Sequence, residues 1–389
     1  MSVKYFTNGN IMDVVNEKIY KGSIVVENGI ITQVGEDVAC PEGAEVIDFG
    51  GKTVSPGIFN CHTHICMSAN PKDPRPTSDA QIAIQAIKAC KEFVQSGVTF
   101  IRDVGGSNYV DIDIRDAARK GDFVAPEMVV SGKCICMTGG HGWSMGREAD
   151  GVDDCRKAAR EQLRAGADCI KVMATGGVFT KGVEPGSQQL NEDELRAAIE
   201  EGHKAGAKSC THAQGMSGIK AALRAGIDSI EHGFYMDDWC FDWMKEHGTT
   251  FVPTLTAVYY TKFSEAGIPE FARKKVDAAY EDHLNTFRGA YKAGVSIALG
   301  TDAGTPNNYP NQTGFEMVLM EKAGMTKWDA IKAGTINSAK LVGVEKTHGT
   351  IEAGKKANFT VYTANPIEDM NNVMDCCMTV IGGEVVYKK

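Results

Sequence analysis

Two histidines, His62 and His64, close the apolar run GIFNCHTHI (57–65). In a strand, residues i and i+2 project to the same face, so two imidazoles at this spacing can share one metal ion. The plain alternative is a pair of histidines with no ligand. Three further donors sit in the same local setting: His212 ends KSCTHA, His232 ends SIEHG, and Asp302 lies at the end of SIALGTDAG. Four separate strand-like runs therefore finish on imidazole or carboxylate donors suited to a divalent cation. Lys171 lies inside another such run, CIKVMATGG, between Ile170 and Val172. A lysine buried in an apolar strand must pair, lose its charge or be modified. Either its stem snorkels along the strand wall, or its amine carries a carbamate formed with carbon dioxide, an anionic ligand able to bridge two metals. His203, His247 and His283 fall in helix-like segments and His348 in a terminal turn, where solvated or capping roles are expected.

These runs need elements to hold them. Between positions 57 and 345, eight short apolar runs alternate with helix-like segments: 57–65, 99–106, 127–135, 169–177, 208–215, 229–233, 250–257 and 296–304. SDAQIAIQAIKACKEFVQSG and NEDELRAAIEEGHKAG read as helices, the second with Asn191 as N-cap and Glu194 completing a capping box. Eight strand–helix units point to an α/β fold, a (β/α)8 barrel whose strand C-terminal ends build the site. A doubly wound sheet is the rival, but it usually places a glycine-rich phosphate loop after its first strand, where this chain has His-Thr-His. The two ends of the chain differ from the middle. Residues 1–56 and 346–389 both read as short strands separated by Gly and Asn turns.

Composition narrows the function. The chain has 389 residues, 43% hydrophobic and 23% charged, with formal net charge −9, as in an ordinary folded globular protein. The acidic balance argues against a nucleic-acid partner, since phosphate binding needs a basic face. No apolar run approaches the ~18 residues of a membrane span, and the N-terminal stretch has no secretory pattern. Twelve cysteines in 389 residues, with no C-x-x-C pair, are too sparse for a disulfide scaffold or a zinc ribbon. They read as reduced core residues of a cytoplasmic protein, which leaves a homo-oligomer open.

SPGIFNCHTHI, a lysine in a later strand, two strand-end histidines and GTDAG together resemble the amidohydrolase superfamily over nearly the whole chain. The tail GTIEAGKKANFTVY is similar to that family's closing segment, with Asn358 where Asp is common. The resemblance implies a barrel over residues 57–345 with a composite β-sandwich domain built from 1–56 and 346–389. It also implies a binuclear centre in which His62, His64 and Asp302 bind one metal, Lys171 as carbamate bridges, and His212 and His232 hold the second. Single-metal members such as imidazolonepropionases lack the strand-four lysine. CIKVMATGGV and TGGHG (138–142) further resemble the prolidase-like Xaa-Pro dipeptidases, which implies substrate contacts at His141 and Tyr235. His141 could instead only fix its glycine-rich turn, and Tyr235 could be a packing aromatic.

Two divalent cations, zinc fitting the mixed donors best, would lower the pKa of a shared water toward neutrality. Asp302 could take its proton and pass it to the leaving nitrogen. The expected activity is hydrolysis of an amide bond in a dipeptide, of Xaa-Pro or L-Xaa-L-Xaa type. A substrate with a terminal carboxylate calls for a cationic clamp, and Lys181 is the clear cation in the loops of interest. Other activities that the same centre would serve are an N-acyl amino acid amidase, a cyclic amidase, a mycotoxin-type amide hydrolase or an imidazolonepropionase-like reaction. A non-catalytic binding scaffold is the remaining class.

Overall fold

The structure is a computed structural model, and it describes residues 3–73, 76 and 78–389. The first five strands are β1 (Val3–Asp13), β2 (Lys18–Glu27), β3 (Ile30–Gly35), β4 (Glu45–Asp48) and β5 (Thr53–Pro56). Three parallel strands follow, β6 (Ile58–Thr63), β7 (Val98–Asp103) and β8 (Glu127–Val130), hydrogen-bonded in that order. A second parallel sheet contains β9 (Ile135–Cys136), β10 (Arg147–Glu148), β11 (Cys169–Met173), β12 (Lys208–Ala213), β13 (Ser229–His232) and β14 (Thr250–Val252), in the order β10-β9-β11-β12-β13-β14. Last come β15 (Phe359–Tyr362), β16 (Cys376–Ile381) and β17 (Glu384–Lys388).

The two chain ends meet in one sheet of eight strands. Its path is β17-β16-β15-β5-β1-β2-β3, and β4 also pairs with β1. Strands from both ends of the chain are thus joined in one hydrogen-bonded path. The cause is β1, long enough to pair along its whole length with β2 while β4 and β5 share its other edge. The sheet has its own core, in which Phe6, Phe49 and Phe359 stand 5.4–6.4 Å apart by ring centroid.

The parallel strands are buried along their length: every residue of β6, β7, β11, β13 and β14 is buried. That accounts for their near-continuous apolar runs, since helices cover parallel sheets from outside. The helix Glu192–Lys204 starts on the expected capping box, the Asn191 side chain accepting from the Asp193 and Glu194 amides while Glu194 accepts from the Asn191 amide. Two runs end differently from expectation. The seventh stops at Val252, because Pro253 has no N–H for the ladder, and a helix begins at Leu255. The eighth forms isolated bridges instead of a continuous strand: Ile297 pairs with Phe251 and Ala303 with Thr63. Between them Asp302 takes a left-handed backbone (φ 62°) that interrupts the ladder.

Candidate metal centre

The C-terminal ends of the parallel strands converge on one cluster. His62 Nε2 lies 3.5 Å and His64 Nε2 3.2 Å from the same Asp302 oxygen. Donor atoms of His62, His232 and Asp302 all lie within 4.8 Å of one another. The His232 ring stands 4.9 Å from that of His62 and 4.5 Å from that of His212. Lys171 faces Cys210 of β12 in register and is 1% exposed. Among the described residues no carboxylate pairs with its ammonium, yet its charge acts on all four histidines.

Each histidine is oriented by a partner that occupies one ring nitrogen. His62 Nδ1 contacts Glu231 Oε2 at 2.8 Å, and His64 Nδ1 faces the Gly105 carbonyl at 3.2 Å. His212 Nε2 meets the Gly176 carbonyl at 3.0 Å. His232 Nδ1 meets Thr254 Oγ1 at 2.7 Å, and since that hydroxyl donates to the Pro253 carbonyl it accepts from the imidazole. A nitrogen facing a carbonyl, a carboxylate or an accepting hydroxyl carries the proton. Among the described residues His212 Nδ1 and His232 Nε2 are then left without a partner, while His62 Nε2 and His64 Nε2 face the Asp302 carboxylate, the only acceptor an incoming ion would replace. Burial, followed by neighbouring imidazoles and Lys171, holds His62, His212 and His232 well below the ordinary histidine range, so these three are neutral and able to ligate. His64 differs: burial pulls it down most, but the hydrogen bond and charge of Asp302, with Asp103, together outweigh it.

Behind the cluster lies a buried ion network. Arg102 on β7 donates from Nε to the Cys61 carbonyl (2.6 Å), from Nη1 to Ser229 (3.0 Å) and from Nη2 to Glu231 (2.8 Å). Glu231 thus spends one oxygen on Arg102 and the other on His62. His232, Thr254 and Asp302 all have left-handed backbones, with φ of 70°, 53° and 62°. Such conformations cost a non-glycine residue of order 1–3 kcal/mol and concentrate at functional sites.

The two expected substrate-contact residues are placed unequally. The His141 ring stands 4.1 Å from that of His212, with Nδ1 2.8 Å from Thr180 Oγ1. Burial and the charge of Lys171 push its pKa down to about 3. Tyr235 is half-buried after β13, its ring 6.4 Å from that of Phe234, and burial raises its phenol. Two of the histidines expected in solvated or capping roles are buried. His283 is 1% exposed and stacks on Phe234 at 4.7 Å. His348 is 5% exposed and bridges Thr347 and Glu127. Of the twelve free cysteines eleven are buried, and Cys40 is exposed.

Sequence reasoning missed Glu231, Arg102 and Thr254. The first two had a signal, a charged residue inside an apolar run, the same one that singled out Lys171. Thr254 had none, because its role depends on the turn after Pro253.

Residues 53–386 match the family described as Amidohydrolase family. Ochratoxinase of Aspergillus niger is 30% identical over 388 residues, covering 91% of this chain and 80% of that protein. The crystal structure of a Xaa-Pro dipeptidase with methionine bound in its active site superposes with a TM-score of 0.92 at 31% identity, covering 100% of both chains. That of a prolidase complexed with N-methylphosphonate-L-proline gives 0.92 at 27%, again over 100% of both chains.

Proposed function

The chain belongs to the amidohydrolase family, and from that premise we propose that it is a binuclear metal-dependent dipeptidase of Xaa-Pro or L-Xaa-L-Xaa type. That it is an enzyme acting on amide or peptide bonds follows from the family and its hydrolase relatives. The observation that carries the finer reading is the set of four histidines, each with one nitrogen tied to an acceptor and the other open toward Asp302 or its neighbours. That donor set fits divalent zinc. His62, His64 and Asp302 would hold one ion, His212 and His232 the other. Lys171 would bridge them as a carbamate: its neutral amine adds carbon dioxide, a C–N bond forms and a proton leaves. An unpartnered buried lysine among imidazoles supports this.

Divalent metal, when bound, supplies a Lewis acid and brings the pKa of a bound water near 7. Asp302 accepts the proton of the attacking water and returns it to the leaving nitrogen, without which an amide nitrogen departs poorly. Glu231 and Thr254 hold His62 and His232 in the tautomers that ligation needs. His141 and Tyr235 offer contacts to the substrate. Behind this we place a closed (β/α)8 barrel over residues 57–345, with 1–56 and 346–389 as the second domain. The bridges of the eighth run to both β14 and β6, and Arg102 reaching from β7 to β13, support that closure. Free cysteines support a cytoplasmic location, and no described helix is long and apolar enough to cross a membrane. The substrate side is a small molecule or dipeptide, with no nucleic acid, and a homo-oligomer is compatible with it. The similarity to ochratoxinase favours a second reading, a mycotoxin-type amide hydrolase.

The deciding experiment pairs metal analysis of protein made with zinc and bicarbonate with a kinetic screen of dipeptides, N-acyl amino acids and cyclic ureides. Two equivalents of metal and turnover of dipeptides are expected. Turnover confined to ureides overturns the dipeptidase reading, a single equivalent of metal overturns the binuclear one, and clearly less than one favours a non-catalytic scaffold.

A further inference from the structure

The segment from Ala174 to Gln189 follows β11 and folds back on itself beside the cluster. Its legs are joined by backbone hydrogen bonds, Gly176 N–H to the Ser187 carbonyl (2.8 Å) and Gln189 N–H to the Ala174 carbonyl (2.8 Å). Its tip, 177–183, is held from a distant part of the chain. Lys275, on the helix Glu270–Ala293, donates to the carbonyls of Gly177 (3.2 Å), Thr180 (2.8 Å) and Val183. An ammonium has three N–H donors, and these three carbonyls use them all. Among the described residues no carboxylate forms an ion pair with Lys275.

The tip reaches the site histidines. Thr180 Oγ1 lies 2.8 Å from His141 Nδ1. The Gly177 backbone is so close to the His141 ring that a Cβ there would stand 2.3 Å from it. The neighbouring Gly176 carbonyl meets His212 Nε2 at 3.0 Å. One ammonium therefore sets the height of the segment against which His141 is packed.

We propose that Lys275 is a positioning residue: its ammonium ties down the 177–183 tip so that Thr180 and Gly177 hold the His141 ring against His212 at the substrate side of the centre. This rests on the reading of His141 as a substrate contact. Removing the ammonium leaves three carbonyls without their donor and frees the tip, while the strand-borne cluster keeps its own supports.

The test compares wild type with Lys275→Met and Lys275→Arg. Two readouts need no substrate: tryptic cleavage after Lys181, exposed in the tip, and carbethoxylation of His141 by diethylpyrocarbonate, both mapped by mass spectrometry. Lys275→Met is expected to speed each at least tenfold, with metal content unchanged, and Lys275→Arg to restore most of the protection. With alanyl-proline as probe, Lys275→Met is expected to raise KM about tenfold with a smaller change in kcat, and to add nothing in a His141→Ala background. Unchanged cleavage and modification rates overturn the proposal, as does a full additional loss in the His141→Ala background. Wild type inert toward alanyl-proline, with both substrate-free differences present, overturns the dipeptidase reading and keeps the clamp. Thermal melts of both variants separate a released tip from a misfolded chain, and a Lys275→Arg variant as damaged as Lys275→Met also overturns the proposal.

Discussion

His232 and His348 are both buried histidines, at opposite ends of the parallel strands, and they are finished differently. His232, at the C-terminal end of β13, has Nδ1 on Thr254 and, among the described residues, no hydrogen-bond partner at Nε2. His348 packs beside the N-terminal end of β8 and has both nitrogens engaged, Nδ1 with Thr347 (2.8 Å) and Nε2 with Glu127 (3.0 Å). Glu127 is saturated in turn, by His348, by Asn358 Nδ2 at 2.9 Å and by Lys356. The open valence marks the end that can take a ligand, while the saturated end only joins the terminal sheet to the strands. It also gives Asn358 a reason. An amide there donates to Glu127 and accepts from the Gly382 N–H (2.7 Å), whereas a carboxylate would face the Glu127 charge.

The difference can be broken most forcefully at the open end. Asp302→Asn is expected to retain metal and lower turnover by about 10²–10⁴-fold, read as kcat on the best dipeptide alongside metal content. Near-normal turnover would remove Asp302 from proton transfer. Next in size, Thr254→Val keeps the shape but strips the acceptor from His232 Nδ1. A loss of about 10–100-fold in metal affinity or activity is expected, measured by titration against a zinc chelator. At the saturated end Glu127→Gln should leave kcat unchanged and cost about 1–3 kcal/mol of stability in a urea melt. A loss of turnover there would erase the distinction between the two ends. The smallest effect is in pH. Burial raises the Glu127 carboxyl, but hydrogen bonds from His348, Lys356 and Asn358 overcome this and hold it at about 2 against an ordinary 4.5. A lowered folded-state pKa adds stability above the ordinary value that is lost as pH falls toward the folded one. The gap between wild type and Glu127→Gln should therefore be full above pH 4.5 and close as pH approaches 2.

Seven of the eight runs are legible as strands because a parallel strand buried on both faces needs an unbroken apolar stretch, but where each strand stops is not, since the third ends at Val130 and the seventh at Val252, inside their runs. The eighth is legible as a run but not as an interrupted ladder, since the left-handed backbone of Asp302 leaves no composition signal. The cluster of His62, His64, His212, His232 and Asp302 follows from placement at run ends. Its supports do not. The Gly105 and Gly176 carbonyls are backbone atoms, invisible in any residue type, and Lys275 acts from about 90 residues beyond the tip it holds. His348 shows the converse limit: a histidine in a polar turn reads as solvated until a glutamate from β8 closes over it.

The terminal sheet has a consequence for synthesis. β5 lies between β1 and β15, yet β15 is made about 300 residues later. At ribosomal rates of about 5–20 residues per second, β5 waits some tens of seconds as an open edge, with the aromatic core lacking Phe359. During that interval the nascent chain carries an unsatisfied strand edge, the feature that invites pairing with another chain. Chaperone demand should then track the delay before residue 359 emerges, more than the stability of the finished fold.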